Sequence, residues 1–196
     1  MIKTIEKIQD VISDYVDLKF FKKFILVFSI LYLINHCCLL VADPRHSIYL
    51  PFAAHNLNYV AAFVRLILHT CNIFAHISGL RTEVIYPEIL KVENGAGIRI
   101  MYACTGLGMI SFWIAIIMAQ ETKAFKKLFW CVIGGFSIFL VNCFRMTLLI
   151  LARQNNWQLF RSIDHHTMFT IASYGVISIL FVVYHRSVRY DSNLNA

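Results

Sequence analysis

This sequence has little charge. Of its 196 residues only 15% are Asp, Glu, Lys or Arg, while 59% are hydrophobic, and the mean hydropathy is +0.65. That balance excludes an ordinary soluble domain, in which about a quarter of residues are charged. An integral membrane protein is expected. Each crossing helix takes about 20 apolar residues, so several crossings use most of the chain and leave no room for a large soluble domain. A long basic segment is also missing. The net charge of +7 comes from short clusters beside apolar runs, which suit orientation in a membrane better than nucleic-acid binding. The six cysteines (Cys37, Cys38, Cys71, Cys104, Cys131, Cys143) include no CxxC pair. Neither a disulfide framework nor a zinc site is indicated, and most read as small core hydrophobes. No internal repeat or low-complexity tract stands out. The opening stretch MIKTIEKIQDVISDYVDLKFFKK lacks the clean apolar centre of a cleavable signal.

What is present is a series of apolar runs. Residues 1–23 place Ile2, Ile5, Ile8, Val11, Ile12, Tyr15 and Val16 at helical spacing, with Lys3, Lys7, Asp10 and Asp14 between them, the pattern of an amphipathic surface helix. Crossings are expected at 24–42, 101–119, 128–152 and 166–185. A fifth run at 57–77 carries Arg65, His69 and His76. It is either a span facing the bundle or a helix lying partly in the interface. Between these, residues 81–100 alternate apolar and polar positions on each side of ENGAG, which predicts a β-hairpin of two short strands. The expected fold is an all-α polytopic bundle of about five (four to six) helices with a hairpin outside the membrane before the cysteine helix. Residues 24–185 form its one membrane domain and 186–196 a tail.

Short basic segments at ETKAFKK (121–127) and RSVR (186–189) belong on the cytoplasmic side, which turns the start of the cysteine helix outward. Counting from a lysine-rich cytoplasmic N-terminus, two full spans before the hairpin would put it inside. Either region 43–79 does not cross as one simple span, which is the preferred reading, or the N-terminus is outside.

The polar residues within apolar runs carry the functional signal. Arg145 costs at least about 2.5 kcal/mol in hydrocarbon, so it is expected to face the bundle and mark a site; the plainer reading is an arginine that snorkels or binds a lipid phosphate. Asn142, one turn earlier on the same face, is placed to brace it. Cys104, in ACTGLGM (103–109), is by type alone a packing residue. Its expected position in the first turn of a helix, beside a guanidinium, favours a thiolate nucleophile. Thr105, Gly106 and Gly108 keep the surroundings slim enough for a substrate backbone to approach. His165 and His166 follow an aspartate in SIDHHTMF, where helix capping by Ser162 or Asp164 is the competing explanation. No metal site is expected from them, because neighbouring helical residues point about 100° apart. His36, His46, His55, His69, His76 and His185 read as structural or interfacial.

Three motifs in order, ACTG (103–106), NCFR (142–145) and DHHTMFTIASY (164–174), give the sequence a resemblance to the exosortase/archaeosortase family of membrane-embedded cysteine transpeptidases. It covers roughly residues 80–185. The resemblance implies a protein-sorting enzyme in a prokaryotic plasma membrane, acting at the extracytoplasmic leaflet. Its substrates would be exported proteins carrying a C-terminal motif, a transmembrane helix and a basic tail. It implies Cys104 as nucleophile, Arg145 as the family's arginine and His166 as its histidine, with His165 the alternative. Thr170 departs from the usual glycine, and the chain is shorter than the eight-span members. No cofactor and no nucleic acid are implied; membrane lipid is the surrounding partner. The competing function is a non-catalytic transporter or assembly factor using the Arg/His cluster as a polar path, and a second is a lipid-modifying acyltransferase.

Overall fold

The computed structural model describes residues 18–42, 48–155 and 165–194. Helix α1, Leu18–Ala42, buries only Asn35 and Ala42. So apolar a helix with so little of it packed on protein suits an apolar surrounding. After the short α2, Pro51–Asn56, helix α3, Tyr59–Ile77, starts where the Asn58 side chain accepts from the Ala61 amide at 2.9 Å, satisfying one of the orphan donors of a helix start. It buries Val64, Ile67, Leu68, Cys71 and Ala75 along one face. Strands β1 (Thr82–Ile85), β2 (Ile89–Val92) and β3 (Gly97–Arg99) form an antiparallel sheet in that order. A 3-10 turn, Tyr102–Cys104, leads into α4, Leu107–Ala119, followed by α5, Ala124–Gln154, and α6, His165–Leu194.

The chain direction of each helix follows from who meets whom. Lys19 pairs with Glu121 at 2.6 Å, Phe24 and Phe28 meet Phe112 edge-on at 5.4 and 6.0 Å, and Asn35 donates to Ser111 at 2.9 Å, so α1 and α4 are antiparallel. The Trp113 indole donates to the Trp130 carbonyl at 2.9 Å, where α5 has turned back. Phe63 packs on Phe139 and Cys71 reaches the Cys143 carbonyl, so α3 runs in the same sense as α5. At the far end of α5, the Gln154 side chain accepts from the Ala96 amide at 2.9 Å and Arg153 donates to the Gly97 carbonyl at 3.2 Å. The sheet therefore caps the end where α5 terminates. Leu90, Val92 and Ile100 enter one core with Leu68, Cys143 and Met146. Tyr184 of α6 packs between Trp113 and Trp130 in a second core near the opposite end.

Three helices among the described residues, α1, α3 and α5, are long and apolar enough to cross a membrane. Several expectations change. The 101–119 run is helical only over the 13 residues of α4, about 20 Å at 1.5 Å per residue, because its first six residues are used by the 3-10 turn and the loop after it. The hairpin about ENGAG is β2–β3, and a third strand, β1, adds to it. Helix α1 starts at Leu18, inside the stretch assigned to an amphipathic segment, whose residues 1–17 lie outside the described residues. Helix α6 continues through RSVR to Leu194, where a tail was expected.

The direction of α3 bears on region 43–79. Leu57 accepts from the Cys38 thiol at 3.4 Å and Tyr59 donates to the Asn35 amide oxygen at 2.6 Å. Helix α3 therefore begins beside the last third of α1 and runs the same way, so it does not return the chain to the Lys19 end. The starts of α1 and α5 consequently share one end of the bundle.

Candidate active site

Cys104 stands on a turn and not in the first turn of an α-helix, as was expected. Its amide donates to the Met101 carbonyl at 2.8 Å, and the next amide, Thr105, to Tyr102 at 3.1 Å. Thr105, only 1% exposed, locks the turn twice: its hydroxyl donates to the Tyr102 carbonyl at 2.7 Å and receives the Leu107 amide at 3.4 Å. Gly106 then takes φ +79, a left-handed conformation that ordinary residues enter at a cost, and α4 starts immediately after. The thiol is half-buried at the rim of the core that holds Cys143 and Met146, two residues before Gly106, the N-cap of α4.

Helix α5 supplies the second half of the site. Asn142, buried to 2% exposure, donates its side-chain amide to the Cys104 carbonyl at 2.9 Å. This differs from the bracing of Arg145 anticipated from spacing. The Asn142 amide oxygen is buried and has no hydrogen-bond partner among the described residues. Gly106 leaves room for this contact: a Cβ there would lie 3.3 Å from the Asn142 amide carbon. Arg145, one turn further along the same face, is also buried. The structure thus brings Cys104, Thr105, Gly106 and Asn142 into contact and sets Arg145 on the next turn of the helix that holds Cys104 in place.

His165 and His166 open α6; their side chains lie outside the described residues, as do those of Thr170 and residues 156–164 altogether. The helix packs its Val176–Val183 stretch along Ser137 and Ile138 and its Ser187 carbonyl accepts from Lys126 at 2.9 Å, so it is antiparallel to α5. Its backbone therefore starts at the end of the bundle that holds Arg145.

Two features went unnoticed in the sequence. One is a buried hydrogen-bond chain, Tyr59 to Asn35 to Ser111 to the Leu107 carbonyl, which ties α1 and α3 to the first turn of α4. Its signal was Asn35, a polar side chain inside an otherwise apolar run. The other is an apolar groove of about 690 Å³ between α1, α4 and α6, lined by Phe28, Gly108, Phe112, Trp113, Tyr174 and Phe181 among others. On α4 its lining begins at Gly108, four residues after Cys104. His69 and His76 take structural contacts, with the Tyr86 hydroxyl at 2.8 Å and the Thr82 carbonyl at 3.3 Å. Among the described residues no group of three or more His, Cys, Asp or Glu is placed to hold a metal ion, and all six cysteines are free thiols.

No protein-family model matches the chain, and neither a curated protein nor a solved structure matches it.

Proposed function

We propose that this protein is a membrane-embedded cysteine peptidase or transpeptidase of the exosortase/archaeosortase type, processing C-terminal sorting signals of exported proteins. The observation that carries the reading is that Asn142, whose side chain holds the 3-10 turn bearing the half-buried Cys104, stands one helical turn before the buried Arg145. A structural cysteine has no need of such a mount, and a buried arginine usually marks a site.

In the proposed reaction the Cys104 thiolate attacks a substrate carbonyl carbon, forming the C–S bond as the carbonyl π electrons move to oxygen. The Arg145 guanidinium, a planar fork of donors, stabilises that oxyanion. Collapse of the intermediate expels the amine, which takes a proton from His166, or from His165 as the alternative, and leaves a thioester on Cys104. Water or an acceptor nucleophile then releases the new carboxyl end, giving its proton to the same histidine. Every group needed is a side chain of this chain.

The lysines support an orientation in a prokaryotic plasma membrane. Lys19, Lys22 and Lys23 start α1, and Lys123, Lys126 and Lys127 start α5 at the same end, the bias of a cytoplasmic side. The sheet and the cysteine turn then face the extracytoplasmic leaflet, where a substrate tethered by its own helix meets the thiol at raised effective concentration.

The test compares membranes expressing wild type and Cys104→Ala, following by mass the exported proteins with a C-terminal helix and basic tail. Loss of their trimming with normal accumulation of the variant is expected; trimming that persists without the thiol removes the proposal. Arg145→Lys should also lose most activity, because an ammonium cannot reproduce the fork. Normal turnover in that variant would reduce the arginine to a charge.

A further inference from the structure

We infer that the apolar groove between α1, α4 and α6 holds the acyl chain of an anionic phospholipid, whose phosphate lies against the basic end of the bundle. The inference stands apart from the peptidase reading and needs only a bilayer around the helices. The groove, of about 690 Å³, extends from Gly108 to Ile116 on α4 and from Tyr174 to Val182 on α6. At 1.5 Å per residue that is about 12 Å along each helix, close to the depth of one leaflet, about 15 Å of hydrocarbon. Two polar groups on its wall are already bonded. The Ser178 hydroxyl donates to the Tyr174 carbonyl at 2.9 Å and the Trp113 indole to the Trp130 carbonyl at 2.9 Å. At the end nearer Cys104 the groove is open, since nothing lies within 4 Å of where a Gly108 Cβ would stand.

Charge at the other end selects the headgroup. Helices α4 and α6 both run toward the end where α1 and α5 start, and cations gather there. Glu121 is the one acidic side chain among those described at this end, and Lys19 pairs with it at 2.6 Å. Lys126 and Lys127 donate to the Ser187 and Met118 carbonyls at 2.9 and 3.3 Å. Lys22, Lys23, Lys123 and Arg186 are exposed. Arg186 stands one turn beyond Val182, and Lys22 six residues before Phe28 of the groove wall, so both long side chains can reach a headgroup at the groove's mouth. A protein helix followed by a basic tail would set like charges together here. A phosphate completes the site, and a zwitterionic headgroup, which brings its own cation, gains less.

The test uses the full chain in phosphatidylcholine vesicles that contain a small fraction of a phospholipid with a diazirine in its acyl chain, either phosphatidylglycerol or phosphatidylcholine. After illumination, mass spectrometry locates and quantifies the attached lipid. The phosphatidylglycerol probe should label Phe112, Ile116 and Phe181 about fivefold or more above the phosphatidylcholine probe, the effect of one cation beside an anionic headgroup. At Val132 and Phe136, exposed on the outer face of α5, the two probes should differ little. Lys22→Gln with Arg186→Gln should remove the preference in the groove. Ser178→Trp, which fills the groove, should suppress labelling there by both probes and leave Val132 unchanged.

Equal labelling of the groove by the two probes in wild type overturns the inference, and this arm requires no variant to fold. An equal preference at Val132 and Phe136 assigns it to general attraction by a charged surface and also overturns it. A preference that survives the double substitution, or groove labelling that Ser178→Trp leaves untouched, has the same consequence. Groove residues that neither probe labels, while Val132 is labelled by both, give the groove to a protein helix and end the lipid assignment. Trimming by Cys104 is measured separately, so either reading can fail without the other.

Discussion

Two glycines two residues apart, Gly106 and Gly108, differ in what surrounds them. Gly106 has φ +79 and faces the Asn142 amide, whereas nothing lies within 4 Å of where a Gly108 Cβ would stand. Gly106→Ala should therefore destabilise the protein by about 1–2 kcal/mol, the cost of a left-handed non-glycine residue. Gly108→Ala, in the first turn of α4, should be neutral or stabilising by up to about 1 kcal/mol. Thermal unfolding of the detergent-solubilised variants checks both, and equal effects would show that the turn is not the constraint described. Sequence spacing identified Cys104, Asn142 and Arg145 as residues worth naming. It did not reveal that the asparagine serves the cysteine backbone, because three-residue spacing on one helix says which side chains share a face and nothing about what packs against it.

At the scale of elements, the contact between α4 and α5 rests on the absence of a side chain at Gly134. The Trp113 indole occupies the place where its Cβ would be, and from there donates to the Trp130 carbonyl at 2.9 Å. Gly134→Ala should force the two helices apart and cost about 1–3 kcal/mol, as overpacking of a filled core does. Its neighbour is the control: a Cβ at Gly135 would only touch Ile110 at 4.0 Å, so Gly135→Ala should be tolerated. Comparing the two unfolding temperatures decides the point, and similar losses would mean that helix propensity or general crowding matters more than the indole. Element boundaries followed the same logic of local chemistry against tertiary contact. The ENGAG turn was legible because its residues favour a reversal by themselves, with Asn94 at φ 55. Strand β1 was not, since its four residues become a strand only by pairing with β2. The late start of α4 was hidden because apolar composition continues unbroken through the turn that the Thr105 hydroxyl and Gly106 create.

For the molecule as a whole, the parallel run of α1, α3 and α5 decides which segments lie on the same side. Apolar side chains cover the outside of the bundle: Leu26 is 60% exposed, Leu33 58%, Val132 61% and Phe136 60%. Surfaces of this kind on two helices long and apolar enough to cross a membrane suit a lipid surrounding. Composition alone could say that much; it could not say that α3 starts beside Asn35, because that depends on the buried chain from Tyr59 to Ser111. With α1 and α5 rising from one end and α4 descending to it, the 121–123 loop lies with the start of α1, and the sheet lies at the other end. Labelling tests this arrangement in intact cells with a membrane-impermeant maleimide, using Glu93→Cys in the turn between β2 and β3 and Lys123→Cys in the loop, both exposed positions. The expected outcome is modification at position 93 from outside and protection at 123 until the membrane is opened. Modification of both from outside, or of 123 alone, would reverse or break this topology and remove the extracytoplasmic placement proposed for Cys104, and with it the proposed access to exported substrates.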